Sequence, residues 1–198
     1  MTITIKNPKN QDAVTFIETS AQTHGERTLV EVTLAPGGRN ALHFHKTFSE
    51  RFEAIDAPLT LATAEGTLTL APGESFTAAP WVEHAFFNEG DHPVRFRVEI
   101  CPGNERFELF LQVAYGLIND TWTLPGGFPP HPLYLGVLYA LGDTHYKGLL
   151  TWMSPVAALF AQIASWTGTH RRLIDRYGLT LALTPGEDTP GPNQGDTA

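Results

Sequence analysis

Three histidines and one glutamate are spaced so that they could hold a metal ion together. His43 and His45 stand two residues apart in the run Gly37-Gly38-Arg39-Asn40-Ala41-Leu42-His43-Phe44-His45, and Glu50 follows five residues later. Side chains two apart in an extended segment project from one face, so both imidazoles can serve a single site. A bend over residues 46–49 can return the carboxylate beside them. Two imidazoles and a carboxylate make the facial set of open transition-metal sites. His84 opens a second Phe-containing run, His84-Ala85-Phe86-Phe87-Asn88, and offers a third imidazole. Together the four ligands leave about two positions free on a six-coordinate ion.

Neighbouring residues divide by parity. Glu53 is a rival carboxylate, but strand alternation puts it on the face opposite Glu50. Phe52 and Phe86 share the parity of Glu50 and His84, and so either wall a substrate cavity or simply fill a barrel interior. Asn88 shares the parity of His84 and either lines that cavity or initiates the Glu89-Gly90-Asp91 turn. His24, His92, His131, His145 and His170 lack a partner at metal-ligand spacing and read as ordinary surface or core histidines.

The elements that must position the four ligands are strands. From Val14 to Ile100 short runs rich in Val, Thr, Phe, Leu and Ile are broken by Gly, Pro and Asp turns, the pattern of a sandwich or barrel. Strands are expected over 14–19, 28–35, 41–45, 51–55, 59–64, 67–70, 75–78, 84–88 and 94–100. The run Cys101-Pro102-Gly103-Asn104 ends the pattern, after which Phe107, Phe110, Leu111, Ala114, Leu117 and Ile118 recur at helical spacing. Residues 119–131 read as loop, 132–141 as a second helix, and 170–177 as a fourth. The third helix is framed by Ser154 as N-cap, Pro155 in the first turn and Gly168 as stop.

The ligand spacings resemble the two motifs of the cupin superfamily, G-x5-H-x-H-x3-4-E-x6-G and G-x5-P-x-G-x2-H-x3-N. Gly37, His43, His45 and Glu50 fit the first, with Ala57 where its last glycine belongs. His84 and Asn88 fit the second, but the run before the histidine is Ala79-Pro80-Trp81-Val82-Glu83, so that turn is built without glycine. The turn Leu70-Ala71-Pro72-Gly73-Glu74 is similar to one common in the superfamily. The resemblance implies a mainly β fold, a double-stranded β-helix or jelly-roll barrel over 1–102. A helical extension over 103–183 and a flexible Pro/Gly/Asp-rich tail over 184–198 follow it. It also favours Glu50 over Glu53 as the carboxylate ligand.

Such a chain is similar to small quercetinase-like cupins, which implies an oxygenase-type enzyme acting on a small, partly apolar substrate. The ligand set accepts manganese, iron, nickel, copper, cobalt or zinc. Glu50 is the candidate to take a proton from the substrate. The same architecture serves isomerases, lyases and non-catalytic binding or sensory proteins, and these remain alternatives.

Bulk properties narrow the partners. A net charge of -8 at pH 7 argues against binding nucleic acid non-specifically, which relies on Lys and Arg neutralising phosphates. One cysteine, Cys101, permits no intrachain disulfide and is expected to be a buried, inert thiol. The N-terminal residues do not read as a secretory signal, so a cytoplasmic setting is expected. Residues 148–169 carry no charge, yet polar residues and Pro155 dilute the segment. A soluble helix is expected there rather than a membrane span, with Val156, Leu159, Phe160, Ile163 and Trp166 as a buried seam that joins two copies as a homodimer.

Overall fold

The computed structural model of the chain describes residues 2–7, 11–120, 129–148, 151 and 153–179. Among them nine strands precede four helices: β1 (Ile3–Asn7), β2 (Asp12–Glu18), β3 (Thr28–Leu34), β4 (Ser49–Ala54), β5 (Leu59–Thr63), β6 (Gly66–Leu70), β7 (Ser75–Ala78), β8 (His84–Phe87), β9 (Val94–Cys101), α1 (Glu105–Asp120), α2 (Pro132–Gly142), α3 (Met153–Trp166) and α4 (Thr169–Tyr177). The strands make a six-stranded sheet, β1-β2-β3-β9-β4-β7, and a three-stranded sheet, β6-β5-β8. Every pairing is antiparallel. This is the antiparallel β-barrel the motifs imply, with four helices after it.

Alternation explains the barrel. In β3 every second residue is buried, from Thr28 through Val30 and Val32 to Leu34, and β9 does the same with Val94, Phe96, Val98 and Ile100. These inward side chains meet Phe48, Phe52, Leu59 and Leu61, none more than 1% exposed, in one apolar core. Each such burial contributes about 1.5–3 kcal/mol.

The helices are attached rather than merely appended. Asn104 caps α1, its Oδ1 accepting from the Phe107 amide at 3.0 Å. Phe107 lies in the barrel core, while Val113 and Leu117 on the same helix join a second core with Val137, Leu141, Ala164 and Leu173. Gly136 lets α3 lie against α2, since a Cβ there would come within 2.5 Å of the Ala161 nitrogen. α2 ends at Asp143, whose φ of 43° is left-handed.

The structure departs from the sequence reading in six places. β1 was not expected, because Ile3 and Ile5 are its only large apolar residues. The 41–45 segment is no strand: it makes isolated bridges, His43 to His84 and Phe44 to His145. α1 continues to Asp120, two residues into the expected loop, and α3 begins at Met153 rather than after a Ser154 cap. Pro155 remains in the first turn, where no amide has an intrahelical acceptor to lose. Cys101 is exposed, since it falls on the outward parity of β9. The expected seam on α3 divides: Phe160 and Ile163 are half-buried, but Val156, Leu159 and Trp166 face outward. Among the described residues no helix is long and apolar enough to cross a membrane. The expected tail, 184–198, lies outside the described residues.

Candidate metal centre

Glu50 sits on β4 in the large sheet, opposite Ile100 on one side and Ala78 on the other. His84 starts β8 in the small sheet, opposite Thr63. The segment bearing His43 and His45 crosses between them. His43 exchanges both backbone hydrogen bonds with His84, at 3.1 and 2.8 Å, and Phe44 exchanges both with His145, at 2.9 and 3.0 Å. One flank of the segment is thus bonded to β8 and the next residue to the turn after α2. Bridges on alternating sides keep it extended without a ladder, and His43 and His45 still project together.

Their side chains converge with those of Glu50 and His84. Four ligand atoms, one from each residue, lie within 4.8 Å of one another, and all four residues are buried. Glu50 Oε2 is 2.7 Å from His84 Nε2 and 3.4 Å from His45 Nε2, while the Nε2 atoms of His43 and His45 are 3.1 Å apart.

The far side of each ring fixes its tautomer. Nδ1 of His43 lies 2.7 Å from the Ala41 carbonyl, that of His45 3.0 Å from the Asp143 carbonyl, and that of His84 2.9 Å from the Val82 carbonyl. A carbonyl oxygen only accepts, so each Nδ1 donates and carries the proton. In a neutral ring Nε2 is then a bare lone pair. Two such lone pairs 3.1 Å apart, in a buried place, repel unless a cation lies between them. This donor set fits a divalent transition metal, with acceptors already in place behind all three imidazoles.

The electrostatics agree. Burial drives the pKa of His43 down to about 4, leaving it neutral at pH 7. Burial alone would raise Glu50, but hydrogen bonds and charge from His45 and His84 outweigh it and hold the carboxyl far below the usual range. For His84, burial is outweighed by the bond and charge of Glu50, so its pKa rises. A proton on His84 Nε2 and a cation at the centre therefore compete for one lone pair.

Aromatic rings pack around the cluster. His45 stacks on Phe48 with centroids 4.3 Å apart and meets the edge of Phe107 from α1 at 5.3 Å. Phe52 lies 5.5 Å from the His84 ring and 6.3 Å from half-buried Phe86, which touches Phe96. Asn88 commits its amide to the backbone: Nδ2 donates to the carbonyls of Leu34 and His92, and Oδ1 accepts from Gly90. Glu53 points away, with its carboxylate 3.2 Å from Arg51.

Sequence reasoning passed over Asp143, His145, Trp81 and Phe107. No spacing rule links Asp143 to His45, 98 residues away. A signal for Trp81 was present: it occupies the place of the second motif's glycine, and its φ is 72°. The other missing glycine has no such effect, for Ala57 is not among the described residues with positive φ.

A family model for a Cupin domain matches residues 30–101. No curated protein matches the chain. Among solved structures it is similar to the cupin domain of an XRE family transcriptional regulator from Enterobacter cloacae, at 21% identity over 46% of this chain and 95% of that one, with a TM-score of 0.41. A double-stranded β-helix protein from Klebsiella pneumoniae is 20% identical over 50% of this chain and 84% of that one, TM-score 0.44. A predicted oxalate decarboxylase from Thermotoga maritima is 15% identical over 52% and 92%, TM-score 0.46.

Proposed function

Because residues 30–101 of this chain form a cupin domain, we propose that it binds one divalent transition-metal ion through His43, His45, Glu50 and His84 and acts as an oxygenase-type enzyme on a small, partly apolar substrate. The observation that supports metal binding is the commitment of all three Nδ1 protons to carbonyls, which turns three Nε2 lone pairs toward one carboxylate oxygen. A bound ion would supply Lewis acidity and positions for an oxygen-donor substrate. The protein's own groups do the rest. The three carbonyls fix the rings, and Glu50, besides being one of the four residues that would hold the ion, would contribute an anionic oxygen able to take a proton from the substrate. Phe48, Phe52 and Phe107 keep bulk water away.

Near-complete burial of the ligands favours a second reading, in which the ion only fixes a small molecule in a binding or sensory module. Oxygen uptake in the presence of candidate diketones, catechols and flavonols separates the two, since a binder consumes none. Metal analysis of protein purified without added metal, beside His84→Ala, tests the site itself. One ion per chain is expected in the wild type, and at least about tenfold less in the variant. Unchanged stoichiometry removes His84 from the site. The macromolecular partner we propose is a second copy of the chain, meeting through the outward face of α3.

A further inference from the structure

We propose that Asp143, at the end of α2, is a positioning residue for the metal centre and that through it the helical part of the chain sets the affinity of the site. The proposal rests on the metal-binding reading above.

The three histidines are oriented in two different ways. His43 and His84 each donate from Nδ1 to a carbonyl two residues earlier in their own segment, Ala41 and Val82. Those two rings are set locally and need nothing from the helices. His45 has no such local acceptor. Its Nδ1 donates instead to the carbonyl of Asp143, which reaches it from the turn after α2. Without that oxygen nothing but ring packing against Phe48 and Phe107 would fix which nitrogen of His45 carries the proton.

The side chain of Asp143 fixes where its carbonyl lies. Oδ2 accepts from the amides of Lys46 and Thr47, at 2.9 and 2.8 Å, and from the Thr47 hydroxyl at 2.7 Å. Oδ1 accepts from His145 Nε2 at 2.8 Å. One residue therefore grips three consecutive positions, 45 with its carbonyl and 46 and 47 with its carboxylate. His145 holds the far oxygen and pairs its own backbone with Phe44. To reach all of them Asp143 adopts a φ of 43°, where a Cβ is costly and glycine is usual after a helix.

That geometry separates positioning from helix capping. If Asp143 served only to end α2, glycine would do so with less strain. If it positions His45, glycine keeps the turn but releases the grip. The test titrates metal-free wild type, Asp143→Gly and Asp143→Asn with Co2+. It reads the dissociation constant and the visible absorption of the bound ion, and the metal-free proteins are melted in parallel.

Asp143→Gly should bind Co2+ about 10–100-fold more weakly, the usual range for a residue that orients a ligand. Its absorption should be altered, and the metal-free protein should remain folded, its affinity falling further than any decrease in metal-free Tm accounts for. Asp143→Asn, which keeps one acceptor oxygen, should fall between. Wild-type affinity and spectrum in both variants would overturn the inference, as would a loss of affinity that merely follows a lowered metal-free Tm. If Asp143→Gly does not fold, Asp143→Asn decides alone by the same criteria. Failure of the wild type to bind Co2+ would overturn the metal reading itself and this inference with it, an outcome distinct from binding that the variants leave unchanged.

Discussion

The backbone amide of Trp81 donates to the carbonyl of His45 at 2.7 Å while Trp81 itself is held at a φ of 72°. The turn that delivers His84 is thereby tied to the segment that carries the other two histidines. A bulky residue in the left-handed region is strained and persists only where its surroundings over-determine it. Here the ring stacks on Phe44 at 5.5 Å, Lys46 Nζ lies 5.0 Å from its centroid, and His145 also stacks on Phe44, at 5.5 Å.

This arrangement predicts an unusual order of stability at position 81. Trp81→Gly relieves a Cβ penalty of about 1–2 kcal/mol but loses stacking worth about 0.5–1.5 kcal/mol, so it should lie within about 1 kcal/mol of wild type. Trp81→Ala loses the stacking and keeps the penalty, and should be about 1–2 kcal/mol less stable than the glycine variant. Urea unfolding of the three proteins measures both gaps, and an alanine variant as stable as the glycine one would contradict the strain argument.

Glu50 and Glu53 provide a second contrast. Only Glu50 reaches the histidines, and Glu53 lies against Arg51 at the surface of the sheet. Glu50→Gln should lower metal content at least about tenfold, whereas Glu53→Gln should leave it unchanged. Metal content determined on both variants decides, and the opposite pattern would show that the carboxylate belongs to the other residue.

What could be read from the chain follows the range of the interactions involved. Runs rich in Val, Thr, Phe, Leu and Ile, set off by Gly, Pro and Asp turns, located eight of the nine strands among the described residues, because both signals are local to the chain. His43, His45, Glu50 and His84 were legible for a similar reason, since their spacing reflects strand and turn lengths that the barrel must keep. β1 escaped because two isoleucines make too short a pattern. Asp143 escaped because its contact with His45 depends on where α1 and α2 dock, which no local pattern encodes. At Asn88 parity allowed two roles, and the amide's bonds to Leu34, His92 and Gly90 are a matter of three-dimensional placement.

The junction of α1 with the barrel should respond to pH. The Glu108 carboxylate is buried and accepts from the Ser20 amide at 2.6 Å and the Thr28 hydroxyl at 2.5 Å. Burial pushes its pKa up, and those two bonds only partly offset the effect. With a folded pKa above the unfolded value of about 4.3, the unfolded chain releases its proton first as pH rises, so the contribution of this group to stability is lost through that window. Glutamine keeps an acceptor oxygen and does not titrate. Wild type should therefore lose stability relative to Glu108→Gln as pH climbs from about 4.3 through the folded pKa, with no further change above it. Urea unfolding at a series of pH values tests this, and a wild type that gains on the variant with rising pH would show the two donors outweighing burial.

The outward face of α3 bears on assembly. Val156, Leu159 and Trp166 recur on one side of the helix and are 52%, 53% and 82% exposed, while Ala164 on the opposite side is buried against the other helices. Three large apolar side chains aligned on one exposed helix face suit association, because burying a Leu or Val side chain is worth about 1.5–3 kcal/mol. Under the proposed pairing two copies meet along this stripe. At 1.5 Å per residue the 14 residues of α3 extend about 21 Å, room enough for all three side chains to meet their counterparts across a two-fold axis. Val156→Glu with Leu159→Glu places two charges in that contact. Both positions are exposed in the single chain, so the fold and the metal content should not change. Ile163 is a poorer choice for the same purpose, since it is half-buried and a charge there would also be desolvated within the single chain. Sedimentation equilibrium of the wild type should give twice the chain mass of 21.7 kDa, and the double variant should give the chain mass alone. A wild type that sediments as a single chain at the same concentration would rule the pairing out.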